Sequence, residues 1–290
     1  MSRKEFEFLN IINNTLKSPY LGDDCAYLED FNLVLSSDCL IEDIHFKQSY
    51  MAPQEIARKA LLVNISDILA SGAKPRFVSI TLAGKLNSSF ICDFYKEVKK
   101  TTQEFDIEVI GGDLSNASKL CISITILGQT KNRRISSRKN ACNNYIVAAI
   151  GEFGSSAQGL FDLSKGINNN YYINYHKNPP LYPLISEQIA KTTKHPYAMM
   201  DSSDGLCDCL YQISTQSKVR IEVEYDRIPK KTDNKDFVLF GGEDYSLVVC
   251  LDESDYKNIQ GLEKIGVCSI GSGVYVDKKE LCYNGFNHFN

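Results

Sequence analysis

Residues 53–71 read PQEIARKALLVNISDILAS, and their reading decides the architecture. Proline at the start suits a first helical turn, β-branched interruptions are few, and Gly72 supplies a stop signal, so the stretch predicts a helix over 53–71. At about 100° per residue, Leu61, Ile65, Ile68 and Leu69 fall on one apolar stripe. Ala60, Val63, Asn64, Asp67 and Ala70 occupy much of the opposite face, which is small and mostly apolar too. Such a helix belongs in an interior. Asn64 and Asp67 are three residues apart and therefore neighbours, with little but alanine and valine around them, so the carboxylate needs a partner.

Outward from this helix, strand signals alternate with helical ones. Residues 32–37 read as a buried strand that ends on Asp38. Residues 107–110 read as a short strand ending in Gly111-Gly112-Asp113, and 120–127 as another. The basic, polar run KNRRISSRKN at 131–140 precedes a strand at 145–150, which sets a domain boundary between residues 1–139 and 140–290. Beyond it, 151–159 is rich in Gly and Ser before a helix, and the Asn/Tyr tract at 168–178 reads as an exposed connection. DSSDG at 201–205 precedes a helix over 206–215, and GGED at 241–244 precedes a strand over 245–251. The class is mixed α/β (α+β) in two domains. Short echoes, Ser36-Ser37-Asp38 with Ser202-Ser203-Asp204 and Gly111-Gly112-Asp113 with Gly241-Gly242-Glu243, hint at two related halves.

Composition excludes several function classes. The 290 residues, 43% of them hydrophobic, suffice for two domains with real cores. Thirty-two Lys+Arg against 36 Asp+Glu leave a net charge of −4, so no overall basic field points to nucleic acid. No apolar run approaches the roughly 18 residues of a membrane span, and acids stand where a signal peptide would be apolar; a cytoplasmic protein is expected. Ten dispersed cysteines contain no CxxC, and the four histidines are far apart, which favours reduced thiols over disulfides or zinc.

The informative feature is the set Asp23, Asp24, Asp38, Asp67, Asp113, Asp201, Asp204, Glu243 and Asp244, mostly beside Gly or Ser. Each acid alone reads as a helix cap or turn residue. Asp67, inside a helix, escapes that reading, although a satisfied hydrogen-bond network competes with metal binding there. If several acids converge, repulsion must raise some pKa values or recruit cations, and hard oxygen donors suit Mg²⁺. Carboxylate-held Mg²⁺ coordinates substrate phosphates, so phosphoryl transfer is the natural reaction class. The glycine pairs at 111–112 and 241–242 would permit close backbone approach to phosphate. The 151–159 segment offers either an anion site at a helix start or a tight connection. No GxxxxGK[ST], His-Arg-Asp or GxSxG motif occurs.

The ordered motifs resemble the thiamine-monophosphate kinase family, within the superfamily of aminoimidazole ribonucleotide synthetase and selenophosphate synthetase. They are GDDCAYL at 22–28, SSDCLIEDIHF at 36–46, ARKALLVNISDILASGAKP at 57–75, IGGD at 110–113, DSSDGL at 201–206, GGEDY at 241–245 and NGFNHF at 284–289. The resemblance implies an N-terminal α/β domain whose sheet dimerises, a second α/β domain, and ATP in the cleft between them. It implies a homodimer that phosphorylates thiamine monophosphate directly from ATP with several Mg²⁺ ions. By motif position, Asp24, Ser36, Ser37, Asp38, Asp67, Asp113, Asp201 and Asp204 correspond to metal-binding residues. Tyr95, Gly112, Asp113, Arg138 and Ser203 correspond to nucleotide contacts, and His45, Glu243 and Phe286 to substrate contacts. Asp67, Asp113, Asp204 and Arg138 carry the catalytic expectation.

The chain departs from the family pattern in four places. Leu114 follows Gly-Gly-Asp where threonine is usual, 139–144 replaces a Gly-rich continuation, 176–182 ends on Tyr182 instead of arginine, and Tyr283 stands where a tryptophan is frequent. Two rivals are another ATP-using member of the superfamily and a noncatalytic nucleotide or thiamine-phosphate binding protein. Against the hydrogenase-maturation relatives, which use a terminal cysteine, the ending Asn287-His288-Phe289-Asn290 sets the expectation of a different reaction.

Overall fold

A computed structural model describes residues 4–283. Its first part contains α1 (Lys4–Leu16), β1 (Ala26–Leu28), β2 (Leu33–Ile41), α2 (Pro53–Ser71), β3 (Lys74–Ala83), α3 (Ser88–Glu104), β4 (Glu108–Ser115) and β5 (Cys121–Gln129). The strands form one sheet in the order β1-β2-β5-β3-β4, antiparallel except for β3 with β4.

After the 131–140 connection come β6 (Ile146–Ile150), α4 (Ser155–Ser164), α5 (Tyr171–Lys177), α6 (Pro183–Thr192), β7 (Ala198–Asp201), α7 (Leu206–Ser217) and β8 (Val219–Val223). Then follow α8 (Lys235–Phe240), β9 (Leu247–Leu251), α9 (Glu253–Tyr256), β10 (Glu263–Ile270), β11 (Val274–Val276) and β12 (Lys279–Glu280). The second sheet runs β12-β11-β8-β10-β6-β9-β7.

Helix α2 is the hub. Pro53 opens it, the Glu55 side chain accepts the Ala52 N–H at 2.8 Å, and Gly72 closes it with a left-handed φ of 85°. Fourteen of its nineteen residues are buried, so it is an interior helix and not a surface amphipath. One side packs on β2, β5 and β3; the other meets β7, α5 and α6. Residues on both helical stripes are therefore covered, as the sequence pattern requires.

Strand alternation sorts the first sheet into two faces. Val34, Ser36 and Leu40 of β2, and Ile122, Ile124 and Ile126 of β5, are buried in the core that includes α2. Ser37 and Cys39 are exposed on the other face. In the second sheet β6, β7 and β9 are buried throughout, because α2 and α6 cover one face and α7 and α8 the other.

Several local expectations need correction. Asp38 does not end its strand: β2 continues to Ile41, held residue for residue against β5 from Leu33↔Gln129 to Ile41↔Cys121. Gly111-Gly112-Asp113 likewise lies inside β4, not beyond it. The 168–178 tract is no exposed connection but contains α5, started by the Asn170 side chain accepting the Ile173 N–H at 2.8 Å and anchored by buried Ile173, Tyr175 and His176. The echoes also fail structurally. Ser36-Ser37-Asp38 is mid-strand whereas Ser202-Ser203-Asp204 follows a strand, and Gly241-Gly242-Glu243 lies outside any strand. All ten cysteines are unbridged, five of them buried.

Candidate active site

The acids that sequence pattern scattered along the chain converge where α2, β2 and β7 meet. One carboxylate oxygen each from Asp24, Asp67 and Asp201 lies within 4.8 Å of the others. Alternation turns Ser36 and Asp38 of β2 toward α2. Ser36 Oγ donates to Asp67 Oδ2 at 2.5 Å, and the Asp38 backbone N–H donates to Asn64 Oδ1 at 3.2 Å. Ser66 Oγ donates to Asp201 Oδ2 at 2.5 Å. Asn64, Ser66 and Asp67 thus splay three polar groups from one buried helix toward acids delivered by other segments.

Burial, followed by the charges of Asp38, Asp201 and Asp24, pushes the Asp67 carboxyl well above its ordinary value. Burial and Asp24 push Asp201 up to about 8. Asp24 and Asp38 are raised as well, chiefly by burial, even though Asp24 faces Arg138. The donor set consists of carboxylate and hydroxyl oxygens with an excess of negative charge, which fits Mg²⁺ and not zinc.

A pH effect follows. Carboxyls raised in the folded state hold protons that the unfolded chain releases near 3.8, so their stabilising effect is complete at low pH and is lost as pH rises, through about 8 for Asp201. The metal-free protein is expected to melt several degrees lower at about pH 8.5 than at about pH 6, with Mg²⁺ stabilising it more at the higher pH. Melting curves with Mg²⁺ and with EDTA check this; equal Mg²⁺ stabilisation at both values would contradict a carboxylate cation site.

A cavity of about 860 Å³ opens beside the acids. Asp38, Asp67, Asp204 and Glu243 line its polar part, with His45 and Ser203; Leu160, Phe161, Phe237 and Phe240 line an apolar wall. The Glu243 N–H donates to the Ser203 carbonyl at 2.7 Å. Gly242 permits this turn, since a Cβ there would lie 2.5 Å from the Ser203 carbonyl oxygen. Burial opposes ionisation of Glu243, yet the Lys59 ammonium holds its carboxyl below the usual range. His45 Nδ1 accepts the Ile41 N–H at 3.0 Å, which fixes its ring at the cavity wall.

Arg138 lies at the other side of the acids, its Nη2 2.6 Å from Asp24 Oδ1. Asp23 fixes the arginine's backbone, accepting the Arg138 N–H at 2.7 Å and the Ser137 hydroxyl at 2.9 Å. Buried Arg138 Nε has no hydrogen-bond partner among the described residues, so it is a donor left for a ligand. A second cavity of about 380 Å³ adjoins this pair, lined by Tyr20, Asp24, Tyr27 and Ser137 among others.

Other expected residues sit elsewhere. Ser37 donates to the Ile124 carbonyl on the exposed face, so its hydroxyl is turned away from Asp67. Gly112 and Asp113 are exposed on β4, and Tyr95 packs on Phe94 within α3; none of the three lines either cavity. The need for glycine at 112 comes from strand packing, because a Cβ would lie 2.0 Å from the Ile80 carbonyl oxygen. Phe286 lies outside the described residues. The α4 start is no free anion site: Asp244 already accepts the Gly154 and Ser156 N–H groups at 2.5 and 2.8 Å. Sequence reasoning assigned no role to Lys59, Ser66 or the Phe161/Phe237/Phe240 wall. Only Lys59 left a signal, as a charged residue inside an alanine-rich buried stretch.

Comparison with known proteins gives a consistent result. Residues 22–130 match the family described as AIR synthase related protein, N-terminal domain. The thiamine-monophosphate kinase of Aquifex aeolicus is 31% identical over 98% of both chains, and that of Bacillus subtilis is 34% identical over 82% of this chain and 78% of its own. A solved structure of AaThiL complexed with AMPPCP and TMP superposes with a TM-score of 0.90 at 31% identity, covering 100% of this chain and 99% of that one. Hydrogenase maturation protein HypE, at 17% identity and a TM-score of 0.69, shares the fold.

Proposed function

The chain belongs to the thiamine-monophosphate kinase family, and we propose that it transfers the γ-phosphoryl group of ATP to the phosphate of thiamine monophosphate, giving thiamine diphosphate and ADP. The observation that carries this reading is the convergence of Asp24, Asp67 and Asp201 beside a cavity that is acidic at one end and aromatic at the other. A phosphate monoester has a second pKa of about 6, so the acceptor is already ionised at neutral pH and no dedicated base is needed. The task left to the protein is to bring two anions together in line.

Asp24, Asp38, Asp67, Asp201 and Asp204 are the residues we assign to hold Mg²⁺, with Ser36 orienting Asp67; Ser37, its hydroxyl turned away, would contribute only through its backbone carbonyl. Bound there, Mg²⁺ supplies charge neutralisation for phosphate oxygens. Arg138 offers its unpaired Nε to the donor's phosphates from the far side of the acids, and Ser203 presents its backbone beside Gly242 to the large cavity. Glu243, His45 and the phenylalanine wall receive the thiamine portion.

The homodimer rests on β4, the edge strand of the first sheet, which exposes Val109, Ile110 and Leu114 at 46%, 57% and 57%. Gly112 and Asp113 stand on that same strand, so their assignment to nucleotide and metal depends on a second copy docking there, as does that of Tyr95 on neighbouring α3. The domain division at 139/140 rests on the two separate sheets, and the cytoplasmic setting on the dispersed, unbridged cysteines. No helix among the described residues is long and apolar enough to cross a membrane.

Purified protein incubated with ATP, Mg²⁺ and thiamine monophosphate is expected to yield thiamine diphosphate on chromatography, and none with EDTA or with free thiamine. Binding of ATP without any product would favour a noncatalytic binding protein; turnover with a different acceptor would favour another superfamily reaction.

A further inference from the structure

Lys59 is completely buried on α2, eight residues before Asp67 on the same helix. A buried ammonium is costly unless anions and acceptors surround it. Its Nζ lies 2.9 Å from Glu243 Oε1 and donates to the His45 carbonyl at 3.3 Å. These partners come from two different turns, one after β2 and one between α8 and β9, and both His45 and Glu243 line the large cavity.

Glu243 needs such an anchor. Its φ of 64° and the φ of 53° at Tyr245 are left-handed values that side chains avoid. The Ser203 carbonyl holds the Glu243 backbone from one side, and Lys59 holds its carboxylate from the other. The second carboxylate oxygen is 3.5 Å from His176 Nδ1, but burial, together with the Lys59 charge, pushes His176 down to about 3, so that ring is neutral. Lys59 is thus the cation that fixes Glu243, and with no exposed surface it acts only through its partners.

We infer that Lys59 is a positioning residue for the acceptor: fixed on the helix that carries Asp67, it sets the Glu243 carboxylate and the His45 turn at a defined distance from the metal-binding acids. This rests on the proposed function, since the exposed edge of Glu243 then offers negative charge to the cationic ring of thiamine monophosphate while the phosphate reaches the acids.

The test is a cycle of Lys59→Met, Glu243→Gln and the double variant, with kcat and KM measured for each substrate. Lys59→Met is expected to raise KM for thiamine monophosphate by tenfold or more and to change KM for ATP by less than about twofold. The double variant is expected to be no worse than Glu243→Gln alone, because both changes remove one interaction. Equal rises in both KM values, or a further tenfold loss in the double variant, would overturn the inference. If Lys59→Met fails to fold, the double variant removes both buried charges together and supplies the same comparison. A wild type that does not phosphorylate thiamine monophosphate contradicts the function, not this inference. In that case the crystal structure of Lys59→Gln decides: a displaced Glu243 carboxylate supports positioning, and an unmoved one refutes it.

Discussion

Asp67→Asn is expected to lower thiamine diphosphate formation by on the order of 10³-fold while raising the melting temperature of the metal-free protein. The two effects have one cause. Asp67 is pressed by burial and by Asp38, Asp201 and Asp24, so neutralising it relieves repulsion that the folded state otherwise bears. Asparagine keeps an oxygen to accept the Ser36 hydroxyl, now 2.5 Å from Asp67 Oδ2, and its volume is the same, so the helix and strand stay in place. What disappears is the negative charge that would hold a divalent cation. Product chromatography and melting curves on the same preparation check both halves. Undiminished turnover would sink the metal assignment, and a lower melting temperature would show that Asp67 serves structure instead.

Arg138→Met is expected to act oppositely on stability, costing about 3 kcal/mol, because it strands Asp24 in a site where the pair's side chains are only 14% and 7% exposed. Part of that cost is recovered if Asp24 takes up a proton, which its burial already favours. KM for ATP is expected to rise at least tenfold, since the buried Nε that has no protein partner is lost as a phosphate donor. Adding Asp24→Asn should restore most of the stability and none of the ATP affinity. Arg138→Lys should retain the pair's charge but not the ATP affinity, because an ammonium cannot address Asp24 and a phosphate with separate edges of one fork. Denaturant unfolding and steady-state kinetics measure the two effects separately, and a double variant that regained ATP affinity would remove Arg138 from the nucleotide site.

Legibility in the sequence tracked how local each signal was. Helix α2 could be read to its ends, because Pro53, the spacing of Leu61, Ile65 and Ile68, and Gly72 are all local signals. The continuation of β2 through Ser36-Ser37-Asp38-Cys39 could not, because those polar residues are held in the strand by β5 and by Asn64 and Asp67. Helix α5 was hidden by an Asn/Tyr composition typical of loops; the burial of Tyr175 and His176 that stabilises it is tertiary. Asp67 stood out as a metal candidate because no capping role could explain it. Lys59 did not, because its meaning lies in Glu243, 184 positions away in the chain. The glycine at 112 carried a phosphate-binding reading although its local need is contact with the Ile80 carbonyl.

Phosphoryl transfer at this site requires a divalent cation bound among Asp24, Asp67 and Asp201, and the most direct test is anomalous scattering from a crystal of the protein grown with AMPPCP and Mn²⁺. The expected result is a peak within coordination distance of oxygens from these three residues, absent when Asp67 is asparagine. A nucleotide-bound crystal with no peak among them, or with the same peak in the Asp67→Asn variant, would contradict it.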